Sequence, residues 1–267
     1  MKTLRRYIGL LSMAMIILLS SSCSNDDNDN DREVILPQKI TMYSYGYNSY
    51  NRDILTEYTF SFDNKNRVKS IIKEESGMGM HNKAKTELMF SYDDNTVTTY
   101  KFTSIIYAPD EEKPEYIEVS RIEKNERFTY KNNAVDYIAH TYNMEVAIHL
   151  SLNTKNQIEE RMIAYNAYTE NWIYEHDKKG NMVKGQSGFS GNTYISEYDS
   201  KIGIYKDVNN PSWFIMEFLP LGLNINNNLL KTTGEDVEDP YEIIYNANDY
   251  PISIENISYK AIIEYSK

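Results

Sequence analysis

Apolar and polar residues alternate along most of the chain, and short polar segments interrupt the alternation at intervals. Residues 60–71, "FSFDNKNRVKSI", show the pattern: alternation, four polar residues, then alternation again. Successive side chains of a strand point to opposite faces, so this pattern predicts strands with one apolar face. Similar segments recur as "LSLNTKNQIEER", "YEHDKKGNMVKG" and "IIYNANDYPISI". We therefore predict a series of β-hairpins.

The polar segments have the composition of tight turns. An Asp or Asn in the first position can bond to the backbone two residues on, and Asn or Gly in the fourth position tolerates a positive φ. Shorter turns are predicted at Tyr92–Asn95 and Tyr130–Asn133. The first and fourth positions of the longer turns hold Asp63 and Asn66, Asn153 and Asn156, Asp177 and Gly180, and Asn246 and Asp249.

The alternating segments predict an all-β domain over residues 38–267. No amphipathic helix of normal length lies between them, which argues against parallel βαβ units. We predict a single antiparallel meander of repeated hairpins that forms a curved or closed soluble sheet. Its strands are predicted near residues 38–46, 54–62, 67–74, 86–92, 96–106, 116–130, 134–142, 146–152, 157–165, 171–177, 182–187, 193–199, 241–246 and 250–265.

One apolar segment breaks the strand pattern: "NNPSWFIMEFLPLGLNINNNLL", residues 209–230. Asn210 and Pro211 are suited to begin a short helix near 210–220, and Pro220 is suited to end it. The segment holds too many aromatic residues for a solvated helix. We predict a plug packed against one end or the inner face of the sheet, with a buried strand as the alternative.

The first residues have the features of a lipoprotein signal. Residues 1–22 place three basic residues before an apolar run of about 13 residues, which is too short to span a bilayer. Cys23, the only cysteine, follows three serines. This order predicts that Cys23 is lipidated and that residues 23–37 form an acidic disordered tether. The alternative is a free thiol in a signal that is cut elsewhere.

The tether carries four aspartates between residues 26 and 31. A calcium loop is excluded because Arg32 and Gln38 stand where an EF-hand needs glycine and a bidentate acid. Acidic residues behind a lipidated cysteine resemble the surface-export signal of Bacteroidetes lipoproteins. That resemblance implies an outer-membrane protein facing the cell exterior, with the periplasmic face as the alternative.

The charge of the chain limits its partners. The full sequence has a net charge of −11. Removing residues 1–22 removes three of the 28 basic residues and none of the 39 acidic ones, which leaves 25 minus 39, or −14. This charge argues against nucleic acid and anionic lipid. We predict the membrane as a partner through the lipid anchor, and glycans or other surface proteins as possible ligands.

Residues suited to catalysis or metal binding are few. His140 and His149 could face each other across the turn near residues 143–145, with Glu145 close by, although a solvated sheet face is the simpler interpretation. The sequence contains no nucleophile elbow and no phosphate-binding loop. We predict no enzyme, no metal and no cofactor. The alternative is a glycan hydrolase whose carboxylates come from separate strands.

Tyrosine is unusually frequent, with 24 residues of 267, and it is densest in "YSYGYNSY" at 43–50. Tyr43, Tyr45 and Tyr47 would share one strand face. With Trp172 they are the candidate ligand-binding residues. Tyrosine also packs well on a pleated surface while its hydroxyl stays hydrated, which is the simple explanation. A sugar-stacking platform is the alternative.

Two segments, "SFDNKNRVKSI" and "EHDKKGNMVKG", resemble degenerate YD repeats, the Tyr-Asp-x-x-Gly hairpins of Rhs-type shells. The three serines before Cys23 resemble a bacterial lipobox. With this lipobox, the acidic tether and the ending "YEIIYNANDYPISIENISYKAIIEYSK", the chain resembles a family of uncharacterised Bacteroidetes surface lipoproteins with a porin-like fold. The resemblance covers roughly residues 38–267 and implies a fold but no activity. The aromatic-Asp pair departs from the repeat pattern at Leu152-Asn153, His176-Asp177 and Tyr245-Asn246.

A membrane-embedded sheet is not expected, because basic residues such as Lys69 and Lys73 interrupt the strand faces. We expect a non-catalytic binding or scaffold module of unknown ligand. A glycan-binding accessory protein of a polysaccharide-utilisation system is the alternative.

Overall fold

The fold is seen in a computed structural model that describes residues 33–45, 54–77, 83–110, 115–140, 144–235 and 238–266. The predicted signal at 1–22 lies outside these residues, as do Cys23, Tyr47 and most of the predicted tether. The lipidation of Cys23 therefore remains a prediction.

The polar segments form turns with the predicted geometry. In the first, the Asp63 carboxylate accepts hydrogen bonds from the backbone N–H groups of Lys65 and Arg67, at 2.9 and 3.0 Å. Asn66 in the fourth position has a φ of 62°. The same side-chain cap and positive φ recur in the turns 153–157, 177–181 and 246–250. These four are called capped turns below.

The described residues form eighteen strands and one helix, which we label α1, at Ser212–Phe218. The strands are β1 (Pro37–Ser44), β2 (Ile54–Phe62), β3 (Val68–Gly77), β4 (Lys83–Asp93), β5 (Thr96–Pro109), β6 (Tyr116–Arg127), β7 (Thr129–Lys131), β8 (Ala134–His140), β9 (Glu145–Leu152), β10 (Ile158–Ala164), β11 (Thr169–His176), β12 (Met182–Ser187), β13 (Thr193–Tyr198), β14 (Leu229–Thr233), β15 (Glu238–Pro240), β16 (Glu242–Tyr245), β17 (Pro251–Glu255) and β18 (Tyr259–Tyr265).

The strands belong to two antiparallel sheets of nine strands each. Sheet 1 has the order β16-β17-β18-β1-β2-β3-β4-β5-β6, and sheet 2 has the order β15-β14-β13-β12-β11-β10-β9-β8-β7. The predicted all-β antiparallel meander is confirmed, but it is divided between two sheets. Within the described residues, neither sheet closes on itself.

The chain passes between the sheets at two aromatic residues. The Phe128 N–H donates to Thr98 O of sheet 1 at 3.0 Å, and the next residue, Thr129, pairs with Asp136 in sheet 2. At the return crossing, Tyr241 donates to a carbonyl of sheet 2 before β16 pairs in sheet 1. Bent strands that change sheets are a known way to join two packed sheets. Residues 116–130, predicted as one strand, are therefore split between β6 and β7.

The antiparallel pairing places the short turns at one end of both sheets. We call this the capped end and define it as the turns 63–67, 93–96, 131–134, 153–157, 177–181 and 246–250, together with the insertion 199–228. The other connections lie at the opposite end, here called the loop end. The chain enters the first sheet at the capped end, where the Ile35 N–H donates to Asp207 Oδ2 at 3.0 Å.

Helix α1 lies within the insertion and packs against both sheets. The ring of Phe214 lies 4.7 Å from that of Phe90 in sheet 1, and the ring of Phe218 lies 5.4 Å from that of Tyr137 in sheet 2. Trp213 is only 2% exposed. These residues belong to one apolar cluster that includes strands of both sheets. The predicted apolar helix is confirmed, and the buried-strand alternative is wrong.

A buried ion pair fastens α1 to sheet 2. Glu217, whose side chain is 5% exposed, accepts hydrogen bonds from Arg161 Nε at 2.8 Å and from Tyr137 Oη at 2.7 Å. Burial, together with the Glu217 charge, holds the pKa of Tyr137 well above its ordinary value. Tyr137 therefore stays protonated and donates to the carboxylate.

Three sequence predictions are wrong in detail. Asn210 does not cap α1: Pro211 occupies the N-cap position, and Asn210 instead accepts from the Val68 N–H and donates to Tyr92 Oη. Residues 250–265 do not form one strand, because the Asn256 side chain accepts from two following N–H groups and closes a turn. Strands β14 and β15 were not predicted.

Candidate binding cleft at the capped end

The predicted aromatic residues that the structure describes lie in different sheets. Tyr43 and Tyr45 are 42% and 41% exposed and point to the same face of sheet 1. Tyr45 Oη donates to Glu255 Oε1 at 2.8 Å, and Tyr43 pairs with Lys260 across the ladder. These contacts leave the tyrosine rings beside charged neighbours on an exposed surface.

Trp172 lies in β11 of sheet 2, so it does not join the two tyrosines in one platform. Its indole Nε1 donates to Glu170 Oε1 at 2.8 Å, and its ring lies 6.0 Å from the ring of Tyr194. Trp172 is partly buried in this small aromatic pair.

A cleft of about 760 Å³ lies at the capped end, between turns of the two sheets. Sequence reasoning did not identify it. One wall comes from the β4–β5 turn of sheet 1, another from β7 and the β9–β10 turn of sheet 2, and the insertion supplies the rest. It is lined by Asn95, Thr96, Tyr130, Lys155, Asn156, Asn209, Asn210, Pro211, Ser212 and Trp213.

Backbone hydrogen bonds fix the insertion against the turns on either side. The Asn209 N–H donates to Asn66 O at 3.0 Å, which ties the insertion to a capped turn of sheet 1. The Trp213 N–H donates to Asn156 O at 3.1 Å, which ties it to a capped turn of sheet 2. The acceptors are the fourth residues of the two turns, so the positive φ of each turn helps to set the cleft walls.

The aromatic part of the cleft is formed by Tyr130 against Trp213. Their rings are 6.3 Å apart at 67°, and Tyr130 is 43% exposed whereas Trp213 is buried. Tyr130 Oη donates to Val97 O at 2.7 Å. Burial raises the pKa of this hydroxyl above its ordinary value, so it stays protonated and engaged. The hydroxyl is anchored inward, which holds the ring in place at the cleft.

The polar lining of the cleft is mostly neutral. It consists of side-chain amides and hydroxyls, and Lys155 is the one charged side chain among the lining residues. Amides can both donate and accept hydrogen bonds, and an aromatic ring offers an apolar face. This set of groups is suited to a ligand that is rich in hydroxyls and has an apolar face.

A second pocket, of about 260 Å³, lies on the outer face of sheet 2 beside Asp136 and His149. His149 Nδ1 lies 2.6 Å from Asp136 Oδ1, and His149 Nε2 lies 3.4 Å from Ser151 Oγ. This is the order of acid, base and hydroxyl found in serine hydrolases. However, the backbone of Ser151 lies inside the ladder, with partners in both β8 and β10, so it does not form an oxyanion hole.

His140 and His149 do not meet. His140 pairs in the ladder with Glu145, and its Nε2 lies 2.7 Å from Glu126 Oε1, whereas His149 pairs with Asp136. Each imidazole thus has its own carboxylate partner. Among the described residues, no group of three or more His, Cys, Asp or Glu side chains is arranged to hold a metal ion.

No helix in the described part of the chain is both long and apolar enough to cross a membrane.

Comparison with known proteins finds solved structures with a similar fold but no relative by sequence. No family model and no curated protein matches the chain. A porin-like protein from Bacteroides uniformis matches with a TM-score of 0.50 and 9% sequence identity, over 86% of this chain and 98% of that chain. A porin-like protein from Bacteroides vulgatus matches with a TM-score of 0.39 and 10% identity, over the same shares of the two chains.

At such low identity, the first of these likenesses shows a shared fold alone. The porin-like fold implied by the sequence resemblance is therefore confirmed. The lipoprotein and YD-repeat parts of that resemblance remain predictions.

Proposed function

We propose that this chain is a lipid-anchored outer-membrane protein at the cell surface, and that it acts as a non-catalytic binding module. The observation that carries the proposal is the cleft of about 760 Å³ at the capped end. Small-molecule sites usually occupy about 300–1,000 Å³ and combine an apolar surface with a few convergent polar groups. The Tyr130 ring and the surrounding amides provide both.

The interior favours binding at this surface rather than passage between the sheets. Helix α1 occupies the space between them, with Phe214 fully buried and Trp213 nearly so. Protein interiors are close-packed, so a ligand could enter there only by displacing these rings. The cleft, by contrast, is accessible with the core intact.

A glycan is the ligand class that the lining favours. Sugars present many hydroxyls, which match side-chain amides, and carbon–hydrogen faces, which match an exposed tyrosine ring. The sequence offers Tyr43, Tyr45 and Trp172 as alternative rings on which a sugar could stack. At Tyr130, the ring is accompanied by a concave set of polar groups.

The anchor is proposed from Cys23 and from the point at which the chain enters the fold. Ile35 joins the sheets at the capped end, twelve residues after Cys23. An extended chain of that length reaches at most about 40 Å. A lipid on Cys23 would therefore keep the point where the chain enters the fold within that distance of the membrane.

Binding can be tested with the full chain extracted in detergent and applied to a glycan array. We expect Tyr130→Ala to lose retention on the bound glycans. Tyr168→Ala is the matched control, because Tyr168 is 56% exposed at the loop end, and it should retain binding. Equal retention by both variants would exclude the cleft as the site, and no retention by the unmodified chain would contradict glycan binding.

Anchoring can be tested separately by metabolic labelling with a radioactive fatty acid. The unmodified chain should incorporate label, and Cys23→Ala should not. Proteinase added to intact cells should then degrade the protein if it faces the exterior. A labelled chain that is protected until the outer membrane is broken would instead place it on the periplasmic face.

A further inference from the structure

The capped end differs in charge from the rest of the chain. Its turns and insertion hold eight lysine or arginine residues and eight acidic residues, so their net charge is zero. The whole chain has a net charge of −11, so the remaining residues carry all of it. The cleft therefore lies in the part of an acidic protein that would repel an anion least.

The acids of the capped end are turned inward more than its lysines. The Asp63 and Asp177 carboxylates cap their own turns, and Glu217 is buried against Arg161. Asp199 and Asp207 accept hydrogen bonds from backbone N–H groups. In contrast, the exposed residues at this end include Lys65, Lys131, Lys155, Lys178, Lys179 and Lys206.

Lysines follow the end of sheet 2 in a row that passes the cleft. Lys131 is the last residue of β7, Lys155 is in the β9–β10 turn, and Lys178 and Lys179 are in the β11–β12 turn. Neighbouring strands lie about 4.8 Å apart, so successive turns of this meander are about 10 Å apart. Of these lysines, Lys155 lines the cleft. Lys131 follows Tyr130 in β7, so its side chain points to the opposite face of the strand.

These lysines are available to a ligand. Among the described residues, Lys131 and Lys155 form no ion pair, whereas Lys65 is paired with Asp94 at 3.1 Å. The acids near the cleft, Asp93 and Asp94, are on the sheet 1 side, beside Asn95. Positive charge is thus concentrated on the sheet 2 side of the cleft.

We infer that the ligand of the cleft is an anionic saccharide, with a carboxylate that pairs with Lys155 and a sugar ring that lies on Tyr130. This inference rests on the proposed function. A chain of uronic acid residues has the required chemistry, because it combines hydroxyls, apolar ring faces and regularly spaced carboxylates. A ligand with charge alone would not use the amides and the tyrosine ring.

The test is titration calorimetry on the full chain in detergent, with oligogalacturonate as the acidic probe and a neutral galactan oligomer as its comparison. We expect the acidic probe to bind more tightly. Lys155→Ala should weaken its binding about two- to fivefold, the effect of losing one exposed ion pair. Raising the salt concentration should weaken binding of the unmodified chain in the same direction.

Lys83→Ala is the matched control, because Lys83 is exposed at the loop end, at the start of β4. It should leave binding unchanged. If the neutral oligomer binds equally well and Lys155→Ala has no effect, the inference is wrong but glycan binding stands. If neither oligomer binds and the glycan array is also negative, the proposed function fails.

A third probe distinguishes a saccharide from other anions. Vesicles containing phosphatidylglycerol present anionic charge without a sugar chain. If they bind with the same dependence on Lys155 but no dependence on Tyr130, the capped end is a general anionic-surface contact and the inference is overturned. Weaker binding of oligogalacturonate by both Lys155→Ala and Tyr130→Ala supports it.

Discussion

At the capped end, apart from the insertion between β13 and β14, strands reverse through turns of two or five residues, whereas the loop end joins them by connections of three to nine residues. The four capped turns repeat one arrangement of hydrogen bonds. The described loop-end connections do not share one such arrangement. Tyr165 stacks on Tyr168 at 4.5 Å in one of them, and an Asn256 side chain closes another.

The comparison shows how a regular scaffold can position a site. Each capped turn is fixed by its own side chain and by local backbone geometry, so its position follows from the end of its strands. The insertion then bonds to the fourth residues of two such turns. The cleft walls are therefore tied to both sheets by backbone hydrogen bonds, although they are made of turn residues.

The two ends should differ most in the free energy of unfolding that is lost when one aromatic side chain is removed from each. Trp213→Ala should lower the free energy of unfolding by about 3–5 kcal/mol, because it leaves a cavity in the core. Phe189→Ala should change it by about 0.5 kcal/mol or less, since Phe189 is 83% exposed in the β12–β13 connection. Urea denaturation followed by circular dichroism measures both. Similar losses would mean that α1 is not part of the core.

The next effect concerns the ion pair between the insertion and sheet 2. Glu217→Ala should destabilise the fold by about 3 kcal/mol, because it leaves Arg161 without its partner. Glu175→Ala removes the exposed partner of Lys184 and should cost about 1 kcal/mol or less. Adding Arg161→Met to a Glu217→Leu variant should recover most of the loss. A double variant as unstable as Glu217→Ala would refute this account.

A smaller effect should separate capped turns from loop-end connections. Asn153→Ala and Asn246→Ala each remove the side chain that accepts two backbone N–H groups, and each should cost about 1 kcal/mol. Asn166→Ala, in the exposed β10–β11 connection, should be nearly neutral. Urea midpoints compare the three. Equal midpoints would show that the caps add nothing to stability.

The smallest expected effect is a change with pH in the stability that Asp63 and Asp177 contribute. The two capped turns that carry asparagine instead of aspartate serve as the comparison. Burial opposes the ionisation of Asp63 and Asp177, but hydrogen bonds from Arg67 and Asn181 outweigh it and lower the pKa of both carboxyls. Their stabilisation is present above the unfolded pKa of about 4 and is lost as the pH falls through the lower folded pKa.

Replacing these caps by asparagine, the residue found in the other two capped turns, should reduce that acid sensitivity. Urea midpoints of the Asp63→Asn, Asp177→Asn variant should fall less between about pH 5 and about pH 2 than those of the unmodified chain. Curves that remain parallel would show that other groups control acid unfolding.

The capped turns could be predicted from sequence because their chemistry is local. Asp63 and Asn66 act on N–H groups and backbone angles within their own segment. The division into two sheets could not be predicted in this way. The alternation continues through Phe128, and only the change of pairing partner, from β5 to β8, shows that a sheet ends there.

The cleft was missed for a related reason. Its lining comes from segments between residues 95 and 213, and each reads as an ordinary polar turn or linker. The feature of the sequence that could have indicated the cleft is the segment "NNPSW", residues 209–213, together with the amide-rich turns. That segment supplies half of the lining. Strands β14 and β15 were missed because a run of asparagines, 226–228, precedes the first and reads as a loop.

Sheet 1 contains strands from both ends of the chain, and this sets the order in which the domain can be completed. In sheet 2, every pair of neighbouring strands is adjacent in sequence, so pairing can follow synthesis. In sheet 1, Met42 of β1 pairs with Ala261 of β18, which lies 219 positions later in the sequence. This pair can therefore form only after nearly the whole chain has been synthesised. Until β18 has been synthesised, β1 presents an unpaired edge, the kind of surface that recruits other chains. Loss of the last nine residues would make that edge permanent, so a small truncation should convert a folded protein into one prone to aggregate.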